Sequence, residues 1–223
     1  MDSAVVASKP LLSALEARVL GCLIEKEFST PDIYPLSMNA LVNACNQRNN
    51  RAPVMEVDQG EVGIVTESLR QKRLVTLFSG ADARVAKFRQ TLDQVLPIEA
   101  VERALLGELL LRGPQTTAGL RANAERLRVM PSVEDVEALL AEQAARTDVV
   151  WVRKLPRQTG QKEARWAQLL TGEPVAEAET AAAPLKVEMV LPAEVEQRLA
   201  MLEAEVGRLG AELVRLRTAL GEG

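Results

Sequence analysis

Histidine is absent from this 223-residue chain. That removes the commonest general base and the commonest metal ligand together. Cysteine is nearly absent: Cys22 and Cys45 form no C-x-x-C motif and cannot build a zinc site by themselves. Both fall on apolar helix faces, so the expectation is core thiols in a reducing cytoplasm. Aromatic residues make up only 3%, so a core must come mostly from Leu, Val and Ala. No window reaches the ~18 apolar residues of a membrane span. The stretch Met1-Asp-Ser-Ala-Val-Val-Ala-Ser-Lys-Pro10 lacks the basic and apolar regions of a signal peptide. Gly60 and Gly63 sit inside a helical pattern rather than a phosphate loop, and no Ser or Cys has a base beside it. The acid pairs Glu25/Glu27 and Glu134/Asp135 read as solvated helix faces. The reading is therefore of a non-enzyme without metal or cofactor. A net charge of −4 and a pI near 5.2 argue against coating nucleic acid by charge alone.

What the chain does have is periodicity. Ser13-Ala-Leu-Glu16 is a capping box, and the helix it starts turns Leu15, Val19, Leu20, Leu23 and Ile24 inward. A two-proline loop follows. Ser37 opens a second helix with Met38, Leu41, Val42 and Cys45 on one face. After an Asn-rich loop, Val62, Val65 and Leu69 mark a third helix. It runs into Leu74-Val-Thr-Leu-Phe78, a Ser-Gly turn and Ala83-Arg-Val-Ala-Lys-Phe88, a hairpin. Three helices and a hairpin are the plan of a winged helix.

The plan recurs. Leu15-Glu-Ala-Arg-Val-Leu-Gly-Cys-Leu-Ile24 matches Val101-Glu-Arg-Ala-Leu-Leu-Gly-Glu-Leu-Leu110 in its Glu, Leu, Gly and Leu positions. Pro97 is placed for the first turn of the fourth helix. Thr116-Thr117 caps a fifth helix carrying Leu120 and Leu127. Pro131-Ser132 opens a sixth with Val133, Val136, Leu139 and Leu140 inward. Val149 to Arg153 and Ala164 to Leu170 form a second hairpin, with Trp151 and Trp166 in its core. Leu20 and Leu69 are 49 positions apart, whereas their counterparts Leu106 and Leu140 are 34 apart. Extra loops of this kind often carry function.

Residues 171–193 read as a linker. Beyond them Leu199, Val206, Leu213 and Leu220 occupy a positions, with Val195, Leu202, Leu209 and Leu216 at d. In a parallel dimer Arg198 faces Glu203 of the second copy and Glu212 faces its Arg217. The same stripe also suits a helix folded back on its own domains.

The expected fold is mainly α with small β-hairpins (α+β). It comprises a leader (1–10), two tandem winged-helix domains (11–93 and 94–170), the linker (171–193) and a coiled-coil helix (194–221).

Asn39-Ala-Leu-Val-Asn-Ala-Cys-Asn-Gln-Arg-Asn-Asn-Arg-Ala-Pro-Val54 resembles the YceH-like proteins, an uncharacterised bacterial family. Leu15 to Glu27, Tyr34-Pro-Leu-Ser-Met-Asn-Ala-Leu41 and Arg84-Val-Ala-Lys-Phe88 carry the same likeness, which covers about residues 11–170. The resemblance implies a tandem winged helix and no known activity. The family tends to have a His near the end of the first hairpin, and none stands there in this chain.

A winged helix reads DNA with its third helix and grips phosphates with loop and wing cations. The third helix here is a poor reader, because Asp58, Glu61 and Glu67 repel phosphate. The hairpins are better suited. Residues 46–89 carry eight cations against five acids, and 146–166 carry six against two. The candidate nucleic-acid residues are Arg48, Asn49, Asn50, Arg51, Arg70, Lys72, Arg73, Arg84, Lys87 and Arg89. The candidate dimer residues are Leu199, Leu202, Val206, Leu209, Leu213, Leu216 and Leu220. The loop Arg48–Arg51 either binds phosphates, bases or a peptide, or simply caps turns through its Asn side chains. The leading expectation is a dimeric, cytoplasmic, DNA-binding regulator. The alternative is a protein-interaction scaffold, which an acidic third helix and an acidic tail favour. No membrane partner is expected.

Overall fold

A computed structural model of the chain describes residues 12–78, 85–174 and, in the tail, 201, 205, 206, 208, 209 and 215. The chain divides into two compact units, 1–175 and 176–223. The first is α+β, with six helices and two small antiparallel sheets among its described residues.

Caps set the helix starts. In α1 (Ala14–Ser29) the Ser13 hydroxyl accepts from the Glu16 N–H, and the Glu16 carboxylate takes the Ser13 N–H at 2.7 Å. Ser37 caps α2 (Met38–Cys45), and Asp58 with Glu61 forms a second capping box on α3 (Gln59–Gln71). The hairpin β2 (Val75–Phe78) and β3 (Lys87–Gln90) follows α3. A two-residue strand before α2, β1 (Leu36–Ser37), pairs with β3, so the sheet order is β1-β3-β2.

The second half repeats this order. It runs α4 (Ala100–Arg112), α5 (Thr117–Ala124), α6 (Val133–Ala145), β4 (Val152–Lys154) and β5 (Trp166–Gln168). The start of α4 differs from expectation. Pro97 lies before the helix, and Glu99 and Glu102 supply the opening turn instead. Val133 is also more exposed than its spacing suggested, because the first turn of α6 leaves the core. The counterpart of β1 shrinks to a single bridge, in which Gln115 and Trp166 exchange N–H···O bonds of 2.7 and 3.1 Å. Trp151 and Trp166 are buried in this hairpin. Trp151 donates to Gln143, and Trp166 donates to Glu137 and Thr117. These bonds satisfy the buried indole N–H groups.

The two halves share one core. Its centre is the crossing of α1 and α4, where each helix presents a glycine. A Cβ on Gly21 would stand 2.9 Å from Cγ of Leu111, and one on Gly107 would stand 2.7 Å from Cγ2 of Ile24. Because the contacts are reciprocal, the two backbones approach closely. Leu12 donates its N–H to the carbonyl of Leu170 at 2.7 Å, joining the beginning and end of the described body.

The tail is described by itself. Among its described residues, 201, 205, 206, 208, 209 and 215 are helical, and Val206 and Leu209 are exposed. Leu199, Leu202, Leu213, Leu216 and Leu220 lie outside the described residues, as do the leader and residues 175–200. No helix among the described residues is long and apolar enough to cross a membrane.

Candidate functional site

The Asn/Arg loop spans residues 46–58, between α2 and α3. Asn46 ties its two ends together, donating from Nδ2 to the Val57 carbonyl and accepting the Val57 N–H, both at 2.8 Å. Asn50 adopts φ 60°, a left-handed conformation that Asn tolerates better than most residues. This turn sends Arg51 back into the protein.

Arg51 is buried. Its Nη1 and Nη2 reach the two oxygens of Glu25, at 3.2 and 2.6 Å. Its other donors go to the Ala44 carbonyl and to Gln47. Glu25 also receives Arg126 Nη2 at 2.8 Å, and Arg126 bridges on to Glu108, itself fully buried. Arg112 completes the chain of contacts: its Nε lies 2.9 Å from Glu108 Oε2, and its Nη2 donates to the Asn50 side chain. Arg18, also buried, donates to the carbonyls of Cys45 and Pro53. The Ala52 N–H donates to the carbonyl of Leu111 at 2.8 Å. The loop thus clamps α1 to the end of α4. Three buried atoms of this network, Arg18 Nε, Arg112 Nε and Glu108 Oε2, have no hydrogen-bond partner among the described residues.

Electrostatics distinguish the two acids. Burial pushes the Glu25 carboxyl up, but the hydrogen bonds and charge of Arg51, with Arg126, outweigh it and hold it below its ordinary value. For Glu108 burial prevails over Arg126 and Arg112, and its carboxyl is raised. Glu25 is therefore not a solvated partner of Glu27. Every residue of α1 from Glu16 to Glu25 is buried, so this stretch of the helix is enclosed on all sides and Glu25 has no solvated face to occupy.

The sequence-derived residues divide sharply. Arg51 is enclosed by the clamp and Asn50 is half-buried in it, whereas Arg48 and Asn49 are exposed. Arg70, at the end of α3, pairs with Glu67. Lys72 pairs with both oxygens of Glu16, at 2.6 and 2.7 Å; burial pushes that carboxyl up, but Lys72, Ser13 and Ser68 outweigh it and leave it below its ordinary value. Arg73 has φ 59° and an exposed side chain. Lys87 is half-buried and Arg89 exposed on β3, and Arg84 lies outside the described residues. Sequence reasoning missed Glu25, Glu108, Arg112 and Arg126. The available signal was a charged residue in the middle of an apolar helix stretch: Glu25 follows Leu23-Ile24, and Glu108 sits within Leu105-Leu-Gly-Glu-Leu-Leu-Leu111.

Cys22 and Cys45 are free, buried thiols. No group of three or more metal-binding side chains occurs among the described residues.

Residues 12–161 match the family model described as a protein of unknown function, DUF480. Among curated relatives, a UPF0502 protein from Geotalea daltonii is 48% identical, covering 87% of this chain and 88% of its own length. One from Geotalea uraniireducens is also 48% identical, covering 95% of each chain. A third, from Geobacter sulfurreducens, is 45% identical, covering 89% of this chain and 90% of its own length. With likeness running through both helical repeats and the loop that clamps them, this chain belongs to the DUF480 family of uncharacterised bacterial proteins.

Proposed function

We propose that each half is a winged helix and that the protein is a non-enzymatic scaffold, binding a partner protein through its exposed third helices. Support for the fold comes from the repeated order of three helices and a hairpin, with a short strand before the second helix pairing to the far hairpin strand. A cytoplasmic setting fits the two free buried thiols.

One observation carries the choice of partner. In a DNA-reading winged helix the third helix enters a groove walled by phosphates, with one negative charge per about 1.7 Å of duplex. Here α3 and α6 together bear six acids and one cation, Arg70, which is already tied to Glu67. Glu61, Glu67, Glu134, Asp135 and Glu142 are exposed. Ile64, 75% exposed, stands beside Gly60 and Gly63 and forms one side of a shallow groove on α3. Acids around an apolar residue suit a basic, partly apolar protein surface and oppose DNA. Fold alone settles neither reading. Pairing of two copies through the Leu199–Leu220 heptads belongs to the same proposal, and Val206 and Leu209 are exposed as it requires.

The test compares the full chain with a variant carrying Ile64→Asp, Glu67→Lys and Glu142→Lys. The wild type retains a protein from cell extract in a salt-sensitive manner, the variant loses it, and neither shifts the fluorescence anisotropy of a duplex at low salt. Salt-sensitive duplex binding that disappears with Arg73→Ala and Arg89→Ala overturns the reading in favour of DNA.

A further inference from the structure

Beside the clamp lies an open cleft of about 350 Å³, lined by Asn50, Arg51, Ala52, Arg112, Gln115 and Asn123. Its volume is at the lower end for small-molecule sites, which run from about 300 to 1,000 Å³. Its lining comes from both halves of the repeat. The extra loop of the first half supplies one wall, and the α4–α5 connection with α5 supplies the other.

The hydrogen-bond inventory of the lining is lopsided. Asn50 Oδ1 already accepts from Arg112, and Gln115 Oε1 already accepts from Asn123 at 2.6 Å. Donors remain. The Arg112 guanidinium has five N–H groups. Among the described residues only its Nη2 makes a hydrogen bond. Its Nε, though 2.9 Å from Glu108, is out of line for one. The Asn50 amide nitrogen is likewise uncommitted, and Asn123 Oδ1 is the remaining amide acceptor.

Charge is lopsided in the same direction. Three guanidiniums (Arg51, Arg112 and Arg126) meet two carboxylates (Glu25 and Glu108) in and beside the cleft. Arg18 is 1% exposed and its hydrogen bonds go to carbonyls, so its charge has no carboxylate opposite it among the described ion pairs. Cations in excess of their counter-charges are costly to bury, and an anion beside Arg112 would offset part of the excess that the cleft carries.

We infer that this cleft is a binding site for a small molecule bearing a compact oxyanion, a carboxylate or a phosphate, held by Arg112 and the Asn50 amide. The fork of Arg112 suits either oxyanion, because both present paired acceptor oxygens. The inference goes beyond the docking proposal and does not depend on it, since the lining shares no residue with the exposed faces of α3 and α6.

Equilibrium dialysis of the full chain against labelled inorganic phosphate, and separately against labelled succinate, tests it at constant ionic strength in chloride. The expected result is saturable binding of at least one of the two, at one site per chain. Phosphate alone or succinate alone identifies the oxyanion. Arg112→Gln weakens binding roughly tenfold or more. Arg157→Gln, on the exposed turn of the second hairpin, leaves it unchanged. Should Arg112→Gln fail to fold by circular dichroism, Asn123→Asp serves instead, placing a negative charge in the cleft away from the Glu25–Arg51 pair. It is expected to abolish binding. Absence of saturable binding with both probes, or undiminished binding by a folded Arg112→Gln or Asn123→Asp protein, overturns the assignment.

Discussion

Arg51 and Glu25, 26 residues apart, meet as a two-pronged ion pair between side chains that are 0% and 2% exposed. Removing one partner of such a pair strands the other in the core, at a cost of about 3–5 kcal/mol. Arg48, three positions earlier, is exposed. Urea unfolding is therefore expected to separate the two arginines: Arg51→Ala loses roughly 3–5 kcal/mol, whereas Arg48→Ala stays within about 0.5 kcal/mol. Equal effects would contradict the clamp.

The acids of the clamp respond to pH in opposite senses. Glu25 is depressed in the folded protein. Its contribution is present above the unfolded carboxyl value of about 4.3 and is lost as pH falls through the lower folded value. Glu108 is raised. Its contribution is present below about 4.3 and fades as pH rises through the folded value. Unfolding measured across the acid range should show Glu25→Gln becoming more destabilising as pH rises. Glu108→Gln should become less so.

Gly107 and Gly21 let α1 and α4 cross at close range. Alanine favours a helix by up to about 1 kcal/mol over glycine. Here the added methyl collides with Ile24 or Leu111, and overpacking costs typically about 1–3 kcal/mol. Gly107→Ala is expected to lower the melting temperature. Adding Ile24→Ala, which removes the opposing Cγ2, should recover part of the loss, giving a non-additive double-mutant cycle.

The shared core makes a further expectation measurable. Both tryptophans belong to the second half. Their fluorescence should nevertheless report a transition coincident with that of the helical signal in circular dichroism, because α1 and α4 bury each other. A chain ending near residue 96 would uncover the face of α1 around Gly21 and Ile24, so it should aggregate or fail to fold. Two separate transitions would show that the halves are independent.

Local order was legible because it is written locally. Ser13 and Glu16, Ser37, Thr116 and Ser132 announce helix starts, and the match around Gly21 and Gly107 announces the repeat. The α4 start was misplaced because Pro97 is only a permissive signal, whereas Glu99 and Glu102 make a specific one. The clamp was only half legible. The Asn/Arg loop stood out by composition, but composition does not say which way a guanidinium points. That was decided by the left-handed turn at Asn50 and by Glu25, Glu108 and Arg126, separated from Arg51 by tens of residues in sequence. Long-range complementarity of this kind leaves no period or spacing to read.

The bond between Leu12 and Leu170 closes the body almost into a ring. The chain enters and leaves at one seam, so the order in which the halves are threaded is topologically incidental. A short bridge from residue 170 back to residue 12, with new ends opened at the exposed turn near Thr159 and Gly160, would preserve every contact of the clamp. Such a permuted chain would make β5 the first element synthesised and β4 the last, so that the second hairpin would close between the two new ends only after both halves had been made.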